Sequence, residues 1–275
     1  MTELRRRARA TGDDRLFGPD ALPTLRRAVA DLSWLLTRGY SGDAALKLVG
    51  DRHVLTARQR LAVLRCACTD EARAARRARR VGVAALAGAD LAIDGLNATI
   101  TVESALSHGV VLRGRDGALR DLAAVHGAYE QVLETSFAVD AIARLLHPEG
   151  GVGPARVMWY LDRPVAGSGR LRALLLARAE ARALPWTVEL VHHPDPLLAE
   201  HTGPVATSDA WILDRCGPWI DLLAGLLEPH EHPARAPAES GPTLAARPDL
   251  WLCDLSSDAP DERDPPQGQR SPSSA

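Results

Sequence analysis

Hydrophobic positions in the first third of the chain recur every three or four residues, whereas those after Gly82 gather into short continuous runs. The first spacing predicts amphipathic helices and the second predicts buried strands. From Pro23 onward, Leu25, Val29, Leu32, Leu35 and Leu36 mark one helical face. Gly39 suits its C-cap, and Ser41 or Asp43 opens a short helix through "AALKLVG". Thr56 caps a third helix across "LTARQRLAVLRCACTDE", with Arg58, Arg60 and Arg65 around its polar side. The arginines of "RAARRARR", residues 73–80, close this part and read as a basic linker. Residues 1–20 show no such periodicity and read as a flexible leader, leaving 21–80 as a basic helical module. Nothing in the module specifies a DNA-recognition helix.

Beyond Gly82 the order alternates. Strand "ADLAIDG" precedes helix "NATITVESALSHG", closed by Gly109, and a short extended segment "VVLRGRDG". The stretch from Ala118 to Gly150 reads as mostly helical. Strand "ARVMWYLD", loop "RPVAGSG", helix "RLRALLLARAEARAL" and strand "WTVELVHH" follow. A Pro-Asp loop, strand "GPVATSD" and helix "AWILDRCGPWIDLLAGLL" complete a region spanning 83–227. Apolar strands alternating with helices predict an α/β fold whose mostly parallel sheet is covered on both faces. Residues 228–275 are rich in Pro, Ala and Ser, interrupted only by "DLWLCDL", and read as a largely disordered tail.

Composition narrows the class. A chain of 275 residues accommodates one large domain, or a small one with a medium one. No run of 18 apolar residues is present, so no membrane span is expected. "MTELRRRARATGDD" lacks the apolar core of a secretory signal. Cys66, Cys68, Cys216 and Cys253 form no CxxC pair and fit idle thiols in a reducing cytoplasm. Net charge is −2, yet residues 1–80 hold 18 Lys+Arg against 9 Asp+Glu, and the remainder is correspondingly acidic. A basic front on an acidic body suggests an anionic partner. Arginine and alanine are abundant along the whole chain, so coding bias is the competing explanation.

Three of these strands end in an aspartate. "LAID" gives Asp94 with Asn97 just beyond, "VMWYLD" gives Asp162, and "VATSD" gives Asp209 behind Thr207 and Ser208, with Asp214 five residues on. Parallel strands share one carboxyl edge, where ligand crevices form. Carboxylates gathered there repel one another unless protonated or bridged by a cation. Oxygen donors without clustered Cys or His suit Mg²⁺ or Mn²⁺.

"LAIDGLNATI" resembles the first strand of the PIN/NYN nuclease superfamily, in which an apolar strand runs into Asp-Gly-x-Asn. "PVATSDAWILD" is similar to that superfamily's late strand, and "WYLDRP" to the middle strand of NYN-type members. The resemblance covers roughly residues 88–225. It implies a Rossmann-like three-layer α/β sandwich, a divalent metal and an RNA substrate. Carried over residue by residue, it casts Asp94, Asp162 and Asp209 as metal-holding and catalytic acids, Asn97 as an orienting group and Asp214 as a further metal candidate. The superfamily's helix-borne second acid is open among Glu103, Asp116 and Asp121. "DLSWLLTRGYSGDAALKLVGDRHVLTARQRLAVLR", with "VVLRGRDGALRDLAAVHG" and "YLDRPVAGSGRL", resembles more closely a prokaryotic family known as paired domains of unknown function, which implies no activity.

Secondary candidates are Arg113 and Arg115 in "RGRDGALRD" for phosphate, Ser208, and Ser168 in "VAGSGRL" as a phosphate-gripping N-cap. The same arginines and acids also fit a salt-bridged turn. His192-His193 with Asp195, and His230-Glu231-His232, are minor metal candidates, and His126 reads as a packed histidine. The six tryptophans, Trp34, Trp159, Trp186, Trp211, Trp219 and Trp251, read as core residues. The expectation is a cytoplasmic, metal-dependent ribonuclease that acts alone, as a homodimer or with a partner protein. The rivals are a non-cleaving RNA-binding or regulatory protein and a small-molecule phosphoesterase on the same fold.

Overall fold

The computed structural model describes residues 10–123, 128–147, 152–228 and 250–256. Its helical front comprises α1 (Asp13–Leu16), α2 (Leu22–Thr37), α3 (Gly42–Arg52), α4 (Ala57–Cys66) and α5 (Asp70–Arg79). Strand β1 (Asp90–Asp94) and helix α6 (Gly95–Leu106) follow, then β2 (Val111–Arg113), β3 (Leu119–Asp121) and α7 (Thr135–Leu146). Next come β4 (Arg156–Asp162), α8 (Ser168–Ala181), β5 (Trp186–Val191) and α9 (Pro194–Ala199). The chain continues through β6 (Val205–Ala206), α10 (Ala210–Leu213), β7 (Trp219–Ile220), α11 (Leu222–Leu227) and β8 (Leu252–Asp254).

The main sheet has the order β5-β4-β1-β6-β7, and every pairing in it is parallel. The chain therefore runs outward from β1 to one edge and returns to build the other side. The order reverses between β1 and β6, the point at which α/β sheets open a crevice. Leu91 and Ile93 of β1 join a core with α6, α7, α8 and α11, while Ala92 faces a smaller cluster with Leu198, Ile212, Leu213 and Trp219. Burial on both faces explains the unbroken apolar run of β1. Helix α6 is buried nearly all round, as an apolar central helix must be. The mixed α/β architecture, its parallel sheet and the helical front agree with the expectation from sequence. None of the described helices is long and apolar enough to cross a membrane.

Several elements differ from expectation, each for a local reason. Residues 10–20 are not a loose leader: α1 forms there, and Phe17 is fully buried against the module core. The arginine run is not a linker but helix α5, capped by Thr69. The stretch after Ala118 begins as β3, antiparallel to β2, and among its described residues the helix is α7, from Thr135. The Pro-Asp loop contains α9, started by Pro194, whose fixed φ suits a first helical turn. The apolar run 210–227 is not one helix: α10 ends at Leu213, and after Gly217-Pro218 the residues Trp219-Ile220 pair with β6. "DLWLCDL" supplies β8, which pairs with β2, so the helical front shares one core with a small β3-β2-β8 sheet. Trp34 and Trp211 are about half exposed, whereas Trp159 and Trp219 are fully buried. His126 and His230-Glu231-His232 lie outside the described residues.

One buried ion cluster fastens α5 to the α/β body. Asp116 accepts from Arg76 at 2.7 Å and from Arg120 at 2.7 and 2.8 Å, and all three side chains are almost wholly enclosed. Arg76 also reaches Asp214 at 2.7 Å, and Arg79 donates to the carbonyls of Leu213 and Cys216. Burial alone would raise the Asp116 carboxyl, but Arg120 and Arg76 outweigh it and hold it well below the usual range. Removing this charge leaves the buried Arg120 guanidinium without a carboxylate and Arg76 with Asp214 alone. Asp116→Asn should therefore lose about 3 to 5 kcal/mol of stability in urea unfolding. Asp51→Asn, which breaks only exposed pairs with Lys47 and Arg60, should leave the midpoint nearly unchanged. Equal midpoints for the two variants would refute a role for the cluster in stability.

Candidate active site

Asp94 ends β1 and occupies the N-cap position of α6, yet its side chain makes no capping hydrogen bond. An aspartate in that place normally accepts from the second or third amide of the helix. Here Oδ2 instead accepts from Thr207 Oγ1 at 2.9 Å, across the β1–β6 boundary. Thr207 in turn accepts from the Asp209 amide at 3.0 Å, so one hydroxyl fixes two strand ends. Gly95 permits the arrangement by close approach, not by an unusual turn. A Cβ there would come within 2.5 Å of Leu161 and 2.9 Å of the Tyr160 carbonyl, forcing α6 off β4.

Burial pushes the Asp94 carboxyl up to about 7. The Thr207 hydrogen bond opposes that rise, while the charges of Asp209, Asp195 and Asp162 add to it. Burial also raises Asp162, helped by Asp195, and raises Asp195, helped by Asp209; His193 opposes both. Four carboxylates at the ends of β1, β4, β5 and β6 thus act on one another across the switch point. Asp94, Asp162 and Asp209 are the three expected from sequence. Asp195 is the fourth, within the first turn of α9 and exposed. The rule that located the others would have located it, had "HHPD" been read as a strand end and not as a loop.

Asp209 also caps α10, its Oδ1 accepting from the Trp211 and Ile212 amides at 2.8 and 3.1 Å. Asn97 Oδ1 accepts from the Ser208 amide and hydroxyl at 3.0 and 3.1 Å, stitching α6 to the end of β6. Asn97 and Ser208 therefore hold the edge in shape, and the expected roles in orienting water or substrate do not fall to those atoms.

The remaining candidates are engaged elsewhere. Asp214 is paired with Arg76. Arg113 lies in β2, 3.4 Å from Asp254, and Arg115 pairs with Asp70 at 2.7 Å and reaches the Cys68 carbonyl. Arg115 is thus engaged by its neighbours, whereas Arg113 Nε has no hydrogen-bond partner among the described residues. Ser168 is not an N-cap: Gly167, at φ +97°, takes that position, and Ser168 Oγ is buried without a hydrogen-bond partner among the described residues. Glu103 is fully buried, accepting from Tyr129 and Thr135 at 2.5 Å. Asp116 is clasped as described, and Asp121 accepts from Thr101 at 2.9 Å. None of the three proposed helix or turn acids is open to a ligand. All four cysteines are buried free thiols, and burial pushes Cys66 up to about 12.

The donor chemistry suits a hard cation, because the group is all carboxylate oxygen and includes one buried aspartate that does not cap. Among the described residues, however, no three His, Cys, Asp or Glu side chains stand as a ready cage. Mg²⁺ commonly takes only one or two carboxylates and completes its shell with water and phosphate, so a preformed triad is not required.

Comparison with known proteins gives family-level results. Residues 83–225 match the family described as Domain of unknown function (DUF5616), and residues 24–79 match Protein of unknown function (DUF434). The chain is 25% identical over 207 residues to Uncharacterized protein MJ0935 of Methanocaldococcus jannaschii, covering 74% of this chain and 97% of that protein. No solved structure matches the chain.

The raised Asp94 carboxyl has a consequence for stability. Its folded pKa lies above its unfolded value near 4, so the folded state holds an extra proton between pH 4 and about 7. Stability falls as pH rises through that window, by about 4 kcal/mol for a shift of this size. In EDTA, Asp94→Asn should raise Tm by roughly 5 to 10 °C at pH 8 and by little at pH 4. A variant that melts lower than wild type at pH 8 would show that Asp94 is a structural cap after all.

Proposed function

The chain belongs to the family described as Domain of unknown function (DUF5616), and for this member we propose divalent-metal-dependent hydrolysis of RNA phosphodiesters at the Asp94 edge. The observation that carries the reading is Asp94 itself: a buried carboxylate in a cap position that makes no capping hydrogen bond and feels the charges of three other acids. Such an arrangement opposes stability and is intelligible at a site that works on a cation and a phosphate. The resemblance of the Asp94, Asp162 and Asp209 strands to the PIN/NYN nuclease superfamily points to the same chemistry.

In this reading Thr207 keeps Asp94 Oδ2 in place, and the Asp94 carboxylate receives the proton of the attacking water. One or two of the carboxylates Asp94, Asp162, Asp195 and Asp209 would hold a cation, with water and phosphate completing its shell. When bound there, Mg²⁺ or Mn²⁺ would neutralise phosphate charge and lower the pKa of water. Trp211 is exposed two residues from Asp209, with the Arg215 guanidinium 4.1 Å from its ring centroid. This part-exposed ring suits a nucleobase stacked beside the scissile phosphate.

A second reading, RNA binding without cleavage, is favoured by the absence of a ready three-acid cage among the described residues.

A panel of single-stranded RNA, DNA and small phosphoesters, assayed with Mn²⁺ or Mg²⁺, separates these readings. RNA should be cut, Asp94→Asn should slow turnover by about 100-fold or more, and Trp211→Ala should raise KM about tenfold. Mn²⁺ should raise the Tm of wild type and not that of Asp94→Asn. RNA binding with neither turnover nor a Mn²⁺ response would transfer the assignment to the non-cleaving reading, and turnover of small esters alone would transfer it to a phosphoesterase.

A further inference from the structure

A cleft of about 290 Å³ opens beside β7, lined by Arg77, Arg80, Gly82, Ile220, Asp221 and Glu228. Its place relative to the carboxylates follows from strand register. Ile220 pairs with Ala206, and Ala206 pairs with Ile93. Asp221 therefore stands level with Thr207 and Asp94 on the carboxyl edge, two strands away. At about 4.8 Å per strand the backbones are roughly 10 Å apart.

The charges in the cleft are unequal in availability. Asp221 is buried, with Oδ1 accepting from the Ala224 amide at 2.9 Å and Oδ2 from the Leu119 amide at 2.7 Å, so both oxygens are already used. Arg77 and Arg80 make no ion pair among the described residues. Arg77 is exposed and gives one hydrogen bond, to the Arg115 carbonyl at 3.2 Å. Arg80 lies with its guanidinium 5.6 Å from the Trp219 ring centroid, half-buried at the cleft wall. Glu228 is exposed at the rim. At Gly82 the space where a side chain would stand is empty, which lets a backbone or phosphate approach. Two guanidinium groups with no ion pair among the described residues line this nucleotide-sized cleft. Arg80 feels the charge of buried Asp221, but both Asp221 oxygens are taken by amides, so the arginines match a phosphate of a single strand.

We infer that Arg77 and Arg80 bind a phosphate of the same single-stranded RNA whose scissile phosphodiester meets the Asp94 group, so that the strand crosses the sheet edge from β1 to β7. The inference rests on the RNA reading for the identity of the strand, but binding does not require cleavage.

The test is metal-free binding of a labelled single-stranded RNA octamer, followed by anisotropy across a salt series in EDTA. Arg77→Gln/Arg80→Gln should weaken binding about tenfold or more and flatten the slope of log K against log salt by about 1.4, for two lost contacts at 0.7 each. Arg77→Lys/Arg80→Lys should keep most of the slope, which a merely structural role for the guanidinium groups would not predict. Arg77→Glu, at an exposed position, gives an independent variant should the double substitution fail to fold, and it should weaken binding more than Arg77→Gln. Unchanged affinity and slope in the glutamine variants, or no binding by wild type, overturns the inference. Preference for an acidic peptide over RNA in the same cleft overturns it as well. Loss of binding in the arginine variants of a protein that cuts nothing would leave this inference standing and remove the hydrolase reading. Cleavage that persists with unaltered affinity in those variants would do the reverse.

Discussion

The buried contact between Arg76 and Asp116 is the constraint on which the rest of the structure depends. It joins a helix of the basic front to the α/β body in a place that water does not reach. An ion pair there is favourable only while both partners remain in position. From Asp116 the connection continues through Arg120, whose Nε donates to the Ser208 carbonyl at 2.8 Å. Ser208 is held on its other side by Asn97, and its neighbour Thr207 holds Asp94. A line of hydrogen bonds, joined through the Thr207–Ser208 peptide, thus runs from α5 to the buried aspartate. The two regions matched by separate families are mechanically one object at this point.

Within that frame the aspartates after the strands divide by what their oxygens do. Asp221 spends both on backbone amides, and Asp209 spends one on the first turn of α10. Asp94 spends none on the helix it begins. A stability optimum would have turned Asp94 onto α6 or replaced it with a neutral group. Its burial among like charges raises the energy of the folded state at neutral pH, the kind of local opposition to stability found at sites under functional constraint.

Much of this was legible from the chain and some was not, for physical reasons that differ by residue. The unbroken apolar run of β1 announces a strand buried on both faces, while β4 is half-buried on its second face and edge strand β5 is open there. The strand-end rule then points to Asp94, Asp162 and Asp209. Asp195 escaped it because Pro194, which starts α9, also signals a loop. Strand β7 escaped because "WIDLLAGLL" carries helical spacing, and only Gly217-Pro218 betrays the break. Trp211 sits in the same apolar context as Trp219, yet one is exposed and the other enclosed; periodicity over a four-residue helix cannot separate them. The partners of Arg76 lie 40 and 138 residues further on, and no local pattern encodes a contact of that range.

The arginine-rich front shows why charge counting is a weak guide to partners. A surplus of nine positive charges over residues 1–80 reads as an anion-binding surface. Much of that charge is already committed: Arg58 to Asp13, Arg60 to Asp51, Arg65 to Asp121, and Arg76 to Asp116 and Asp214. Consecutive residues on a helix point about 100° apart, so Arg76 enters the body while Arg77 turns toward solvent. One arginine of the pair anchors the helix and the next is left to meet an anion. Free charge, and with it any salt dependence of binding, is therefore set by which side of α5 a residue occupies and not by the number of arginines in the run.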